Sequence, residues 1–247
     1  MSKKILFTDL DDTLFQSKRK CPDHDELLPV AYLKDGTAHS FQTQAQANLL
    51  QAFMDDMIVV PVTARNMDAF NRVKIDFKHG AIVNFGGTIL NPDGQLNETW
   101  LATISVRCKQ FRPVLNATAE WAHSKVDLLG GGLRARVIED HGCPFYVSIK
   151  STEGQEPVLD DMEFMLREQL QTTDLSVHRN GNNLVAMPNW LDKRHAVEFM
   201  KTQFKTHYGP ITTIGMGDSL SDLGFMKQCD YMIAPSGSQI MQCMEVE

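Results

Sequence analysis

Short apolar runs recur along the chain, and each stops at a polar or turn-forming position. Residues 4–8 form the first, the length of a buried parallel strand. Between residues 42 and 56, Ala45, Leu49, Leu50, Phe53 and Met54 recur at helical spacing. "MIVVPVTAR", residues 57–65, is a second buried-strand pattern, and Pro61 near its end argues for an edge position or a bulge. The pattern over 67–78 predicts a helix. "AIVNF", 81–85, predicts a third strand, with Gly86 and Gly87 as turn punctuation. Strands alternating with helices imply right-handed crossovers, hence an α/β, doubly wound parallel-sheet core with helices on both faces.

The alternation changes character after the turn signal "NPDG" at 91–94. A helix is predicted from Trp100 to Lys125, broken or kinked near Pro113. "LRARVIED" and "PFYVSIK" read as two strands joined by "HGC", and a helix follows over 156–171. "LSVHR" and "NLVAM" flank "NGN", a hairpin signal. Helix, hairpin, helix, hairpin describes an α+β domain at 91–187, inserted into a core made of 1–90 and 188–247. The α/β pattern then returns. Residues 192–206 are helical, with Ala196, Val197, Phe199, Met200 and Phe204 as apolar positions, and "ITTIG", 211–215, is a short strand. A helix after Ser219, the strand "YMIA" and a last short helix complete the chain.

Composition narrows the class. With 247 residues the chain suits one large domain or a core with an insertion, and 43% apolar residues exclude disorder. A net charge of -7 argues against a nucleic-acid partner. The five cysteines are odd in number and include no Cys-x-x-Cys, which argues against a disulfide framework or a zinc site. Lys3 and Lys4 precede an apolar run that Asp9 cuts short, so no signal peptide is expected, and no run reaches membrane-spanning length. The expectation is a soluble, cytoplasmic protein with no membrane partner.

The candidate chemistry lies where strands end. In doubly wound sheets ligands bind beyond the carboxyl ends of the strands. That rule selects Asp9 to Thr13, Thr63 to Arg65, Lys193 at a helix start, and "GMGDSLSD", 215–222. Clustered carboxylates ionise together only around a cation, and an oxygen-rich set suits Mg²⁺. A metal-held Asp can attack phosphorus, and a second Asp can protonate the leaving oxygen and then activate water. Thr63 and Lys193 suit the equatorial oxygens of a transferring phosphoryl group.

"DLDDT", "VVPVTAR", the helix-opening Lys193 and "GDSLSD" stand in an order that resembles the haloacid-dehalogenase-like (HAD) hydrolases. "VNFGGTIL" resembles the segment after the third strand in Cof-like members, and the insertion resembles a type II cap. The sucrose-phosphate-phosphatase-like branch is similar in plan. The resemblance implies a Rossmann-type core, Asp9 as nucleophile and Mg²⁺ ligand, and Asp11 as general acid/base whose backbone carbonyl also meets the metal. It implies Thr63 as the phosphoryl-binding hydroxyl, Lys193 as the cation steadying nucleophile and phosphate, and Asp218 and Asp222 as metal ligands.

Two positions depart from the family pattern. Arg194 stands where Gly commonly follows the lysine, so either Lys193 or Arg194 faces the phosphate. Ser221 stands where Asn often precedes the last acid. Asp12 reads as a turn former. Thr13, Arg65, Ser219 and Arg179 are the candidate substrate-binding residues. Arg65 either reaches phosphate or pairs with Asp68, and Arg179 sits at a hairpin tip with His178 and Asn180, as a substrate contact or an ordinary turn residue. The implied activity is Mg²⁺-dependent hydrolysis of a small phosphorylated metabolite, most simply a sugar phosphate, through an aspartyl-phosphate, with the cap closing over it. A phosphomutase with the same first step, and a non-catalytic binding protein on the same fold, are the alternatives.

Overall fold

A computed structural model describes residues 2–23, 26–151 and 156–244. The chain divides into two compact units, Met1–Leu101 with Asp192–Glu247, and Ala102–Leu191.

The first unit is built on β1 (Lys3–Thr8), β5 (Ile58–Pro61), β12 (Ile211–Met216) and β13 (Tyr231–Ile233), in the order β13-β12-β1-β5 and all parallel. Ile5, Leu6, Phe7 and Thr8 are wholly buried, as a central parallel strand covered on both faces requires. Val62 N donates to Thr8 O, so the nitrogen of Pro61 faces the outer side of β5, where its missing N–H breaks no bond to β1. The chain winds outward from β1 to β5, and Val62 bridges in parallel to Ile82 of β6 (Ala81–Val83). On its return the chain builds β12 and β13 on the other flank. The winding therefore reverses at β1, which creates a switch point beside its carboxyl end.

Helices α1 (Gln44–Asp56) and α5 (Lys193–Tyr208) are the long helices wholly within this unit, and α2 (Met67–Phe70), α6 (Leu223–Met226) and α7 (Gln239–Met244) are short. Thr43 begins α1 with a capping box against Gln46.

Three features differ from the sequence pattern. Residues 16–43 carry an antiparallel sheet in the order β2-β4-β3 (Gln16–Ser17, Ala38–Thr43, Leu27–Tyr32) that the pattern did not predict. The helix predicted over 67–78 ends at Phe70. Beyond it, Tyr32 N donates to Arg72 O, Lys74 N donates to Val30 O, and Val73 bridges Ala31, so β3 takes the backbone groups a longer helix would have used. The strand predicted over 81–85 stops at Val83, because Asn84 and Phe85 both take φ near +55° and turn the chain into β7 (Thr88–Leu90).

The second unit joins most of α3 (Glu98–Val126) and α4 (Glu156–Leu170) to an antiparallel sheet ordered β10-β11-β9-β8 (Leu175–Asn180, Asn183–Pro188, Cys143–Ser151, Leu133–Asp140). Both expected hairpins are present. Alternate residues Val147 and Ile149 pack with Leu115, Leu159, Met162 and Leu184 in one buried cluster. Of the break or kink expected near Pro113, the break does not occur; α3 runs through it as one helix. Packing of its apolar face outweighs the roughly 3 kcal/mol that an interior proline costs. All five cysteines are free thiols.

Candidate active site

Asp9 follows β1 directly, and its N–H donates to Met216 O at 2.8 Å, which ties it to the end of β12. The loop behind it folds back on apolar anchors: Leu10, Leu14 and Phe15 are buried, and Leu14 N and Phe15 N both donate to Leu10 O. Asp12 sits in the left-handed region at φ 61°, donates its N–H to Phe15 O and meets Lys20 Nζ at 2.5 Å. Its part is in the turn.

Lys193 opens α5, where the Asp192 side chain caps by accepting from Arg194 N. Its ammonium lies 2.5 Å from Asp9 Oδ1 and 2.7 Å from Asp222 Oδ1, and all three side chains are under 10% exposed. The close approach of α5 depends on Gly86, whose φ is +94°. A Cβ there would lie 2.7 Å from Asp192 O and 3.1 Å from Lys193 Cα. Trp100 Nε1 donates to Gly86 O at 3.0 Å and fixes that turn from the other side.

Asp218 and Asp222 come from the loop after β12. A Cβ on Gly217 would meet Asp222 Cβ at 2.6 Å, so only glycine lets this loop close so tightly. Ser219 donates from both N and Oγ to Asp222 Oδ2, at 3.0 and 2.6 Å, and its Oγ lies 2.8 Å from Ser221 Oγ. Thr13 Oγ1 donates to Asp218 Oδ1 at 3.1 Å. The structure thus places Thr13 and Ser219 against the acids.

Asp9, Asp218 and Asp222 are all buried, and each offers an oxygen within 4.8 Å of the others. Burial pushes the Asp9 carboxyl well up; Lys193 opposes that, and Asp222 and Asp218 reinforce it. Burial, Asp222 and Asp12 push Asp218 up to about 6. Burial alone would lower the Lys193 ammonium, but Asp222 and Asp9 together hold it above its ordinary range. Three carboxylates faced by one ammonium leave an excess of two negative charges when all are ionised. An all-oxygen, doubly negative, buried set fits a hard divalent cation such as Mg²⁺.

Asp11 does not join this group through its side chain. Its two oxygens accept from Arg65 Nη2 at 2.6 Å and Nε at 2.7 Å. The expected alternative of an Arg65–Asp68 pair is corrected: Asp68 pairs with Arg72 at 2.7 Å and Lys34 at 3.4 Å, because Arg72 lies one helical turn on. Thr63 is buried one residue past the Val62–Thr8 bond, at the level where β1 delivers Asp9. Its Oγ1 accepts from Arg65 N at 3.1 Å, which leaves the hydroxyl proton to donate.

Of the two neighbours at the helix start, Lys193 is the buried one. Arg194 has a 43% exposed side chain and pairs with Asp192 at 3.2 Å. In the second unit Arg179 is held by Asp160 and Glu163 of α4. Sequence reasoning missed the supporting residues Gly86, Trp100, Asp192 and Gly217. Gly86 left a signal as turn punctuation, and Asp192 as a possible cap before a helical pattern. The rest act through space.

No family model matches the chain, and no curated protein does. Its fold is nonetheless that of the haloacid-dehalogenase-like hydrolases, a Rossmann-type parallel-sheet core with an inserted α+β unit. The C-terminal domain of trehalose-6-phosphate phosphatase from C. albicans is similar at a TM-score of 0.62 and 11% identity, covering 92% of this chain and 73% of that one. The sucrose-phosphatase of Synechocystis, solved with sucrose and phosphate, is similar at a TM-score of 0.55 and 16% identity over 99% of this chain and 96% of that one. A haloacid dehalogenase-like hydrolase from Bacteroides thetaiotaomicron gives 0.50 and 14% identity over 99% of both chains.

Proposed function

We propose that the protein is a Mg²⁺-dependent phosphatase that hydrolyses a small organic phosphate monoester, a sugar phosphate, through an aspartyl-phosphate on Asp9. The observation that carries this reading is the buried contact of Lys193 with Asp9 and Asp222, with Asp218 completing the acidic set.

Lys193 holds Asp9 Oδ1, which leaves Oδ2 to attack phosphorus. The Oδ2–P bond forms as the bond from phosphorus to the leaving oxygen breaks, and that oxygen takes a proton from Asp11. Water then attacks phosphorus and gives its proton to Asp11, releasing phosphate and restoring Asp9. The Thr63 hydroxyl and the Lys193 ammonium bind the phosphoryl oxygens throughout. Mg²⁺, held by the Asp9, Asp218 and Asp222 carboxylates and the Asp11 backbone carbonyl, would offset the charge of carboxylates and phosphoryl group.

The substrate class is supported by the similar structures described as trehalose-6-phosphate phosphatase and sucrose-phosphatase. The free cysteines fit a reducing cytoplasm. Among the described residues no helix is long and apolar enough to cross a membrane.

Phosphate release from p-nitrophenyl phosphate and a panel of sugar phosphates tests the proposal. Release should require Mg²⁺ and vanish in Asp9→Asn. No release from any ester, or full activity in Asp9→Asn, would overturn it; an isomerised sugar phosphate without free phosphate would favour the mutase.

A further inference from the structure

Arg65 lies two residues past Thr63, yet its guanidinium is committed to Asp11. Nε and Nη2 each donate to a different oxygen of the carboxylate, at 2.7 and 2.6 Å, the planar fork geometry that fixes both distance and plane. The fork is itself anchored. Nη1 donates to Ala69 O at 3.3 Å, and the guanidinium carbon lies 5.2 Å from the centre of the buried Phe15 ring. The Arg65 side chain is only 15% exposed, whereas the Asp11 side chain is 43% exposed. Without that fork a half-exposed carboxylate would be free to rotate toward solvent. A carboxylate has about four lone-pair sites, and the fork uses one on each oxygen, so each oxygen keeps one for a proton.

We propose that Arg65 is a positioning residue that holds the Asp11 carboxylate in the orientation from which it gives and takes the proton, and that it makes no contact with the phosphoryl group. The inference rests on the phosphatase reading and on Asp11 as its acid/base. Lysine cannot replace it, because a point charge fixes no plane. Held geometry matters here because proton transfer contributes only when donor and acceptor are already aligned.

The test compares leaving groups. Nitrophenolate departs without a proton, whereas the alkoxide of glucose 6-phosphate requires one, so kcat/KM isolates the proton given in the first step. With glucose 6-phosphate, or the best alkyl ester of the panel, Arg65→Gln and Arg65→Lys should lower kcat/KM by about 100-fold, the scale of lost general acid catalysis. With p-nitrophenyl phosphate the loss should stay under about 5-fold, since no proton is needed there. In an Asp11→Asn background Arg65→Gln should cost nothing more, and inhibition by inorganic phosphate should be unchanged. Circular dichroism and the melting temperature check the fold, and Arg65→Lys keeps the charge if Arg65→Gln unfolds. Equal losses on both esters with weaker phosphate inhibition, or losses that add to those of Asp11→Asn, overturn the inference and leave the phosphatase reading standing. A wild type silent on every ester overturns both.

Discussion

Lys193 and Asp9, 184 residues apart in the chain, meet at 2.5 Å between Nζ and Oδ1, and both side chains are under 10% exposed. The same ammonium holds Asp222, so one cation pairs with acids delivered by two different strands. Replacing it leaves buried carboxylates facing one another. Lys193→Met should therefore lose about 3–5 kcal/mol of stability in urea unfolding without metal, the scale for breaking a buried ion pair. A loss below about 1 kcal/mol would mean that the ammonium does not neutralise the acids.

The acids also set a pH dependence. Asp218 has its ordinary value near 3.8 when unfolded and about 6 in the folded protein. The folded state binds the extra proton, so this contribution to stability is full below the unfolded value and is lost as pH rises through about 6. Through Asp218, metal-free protein should melt at a higher temperature at pH 5 than at pH 7.5. Mg²⁺ needs the ionised carboxylate, so its stabilisation should be larger at pH 7.5 than at pH 5. Calorimetry at both pH values with and without Mg²⁺ checks this, and an equal Mg²⁺ effect at both would contradict it.

Gly217 is held to its identity by a contact that no local pattern reveals. An alanine Cβ would press on Asp222 Cβ at 2.6 Å, so Gly217→Ala must push the acid or the loop aside. The expected cost is about 1–3 kcal/mol, as for other overpacked sites. The Mg²⁺ concentration needed for half-maximal activity should rise as well. A variant with unchanged stability and Mg²⁺ dependence would show that the loop relaxes freely.

Thiol reactivity should follow burial. Cys108 and Cys143 are buried, and burial followed by the neighbouring Cys143 pushes the Cys108 thiol far above its ordinary range. Cys243 is exposed. Ellman's reagent should label Cys243 in the native protein, and Cys108 and Cys143 only after unfolding. Rapid native labelling of Cys108, located by peptide mapping, would contradict the packing of the second unit.

Much of the architecture was legible because it is written in local pattern. Buried parallel strands require continuous apolar runs, which is why 4–8 and 57–65 were readable. The "NGN" hairpin follows from turn chemistry. The pattern failed where a distant partner decided the outcome. Residues 72–74 fall within a predicted helix, but β3 pairs with them instead. Pro113 should interrupt α3, but burial of its apolar face in the second unit carries the helix through.

The candidate site divides in the same way. The sequence by itself determined which residue types stand at strand ends: Asp9, Asp11, Thr63, Lys193, Asp218 and Asp222 each follow a short buried run or open a helix, and their chemistry follows from side-chain type. Only the tertiary structure decided their pairings. It gave Lys193 rather than Arg194 to the acids, turned Asp11 toward Arg65, and set Thr13 on Asp218 and Ser219 on Asp222. Those choices depend on distances between segments up to 205 residues apart, set by strand register and by glycines that admit close approach. Local sequence carries no record of such distances, because they arise only when the sheet brings its strand ends together.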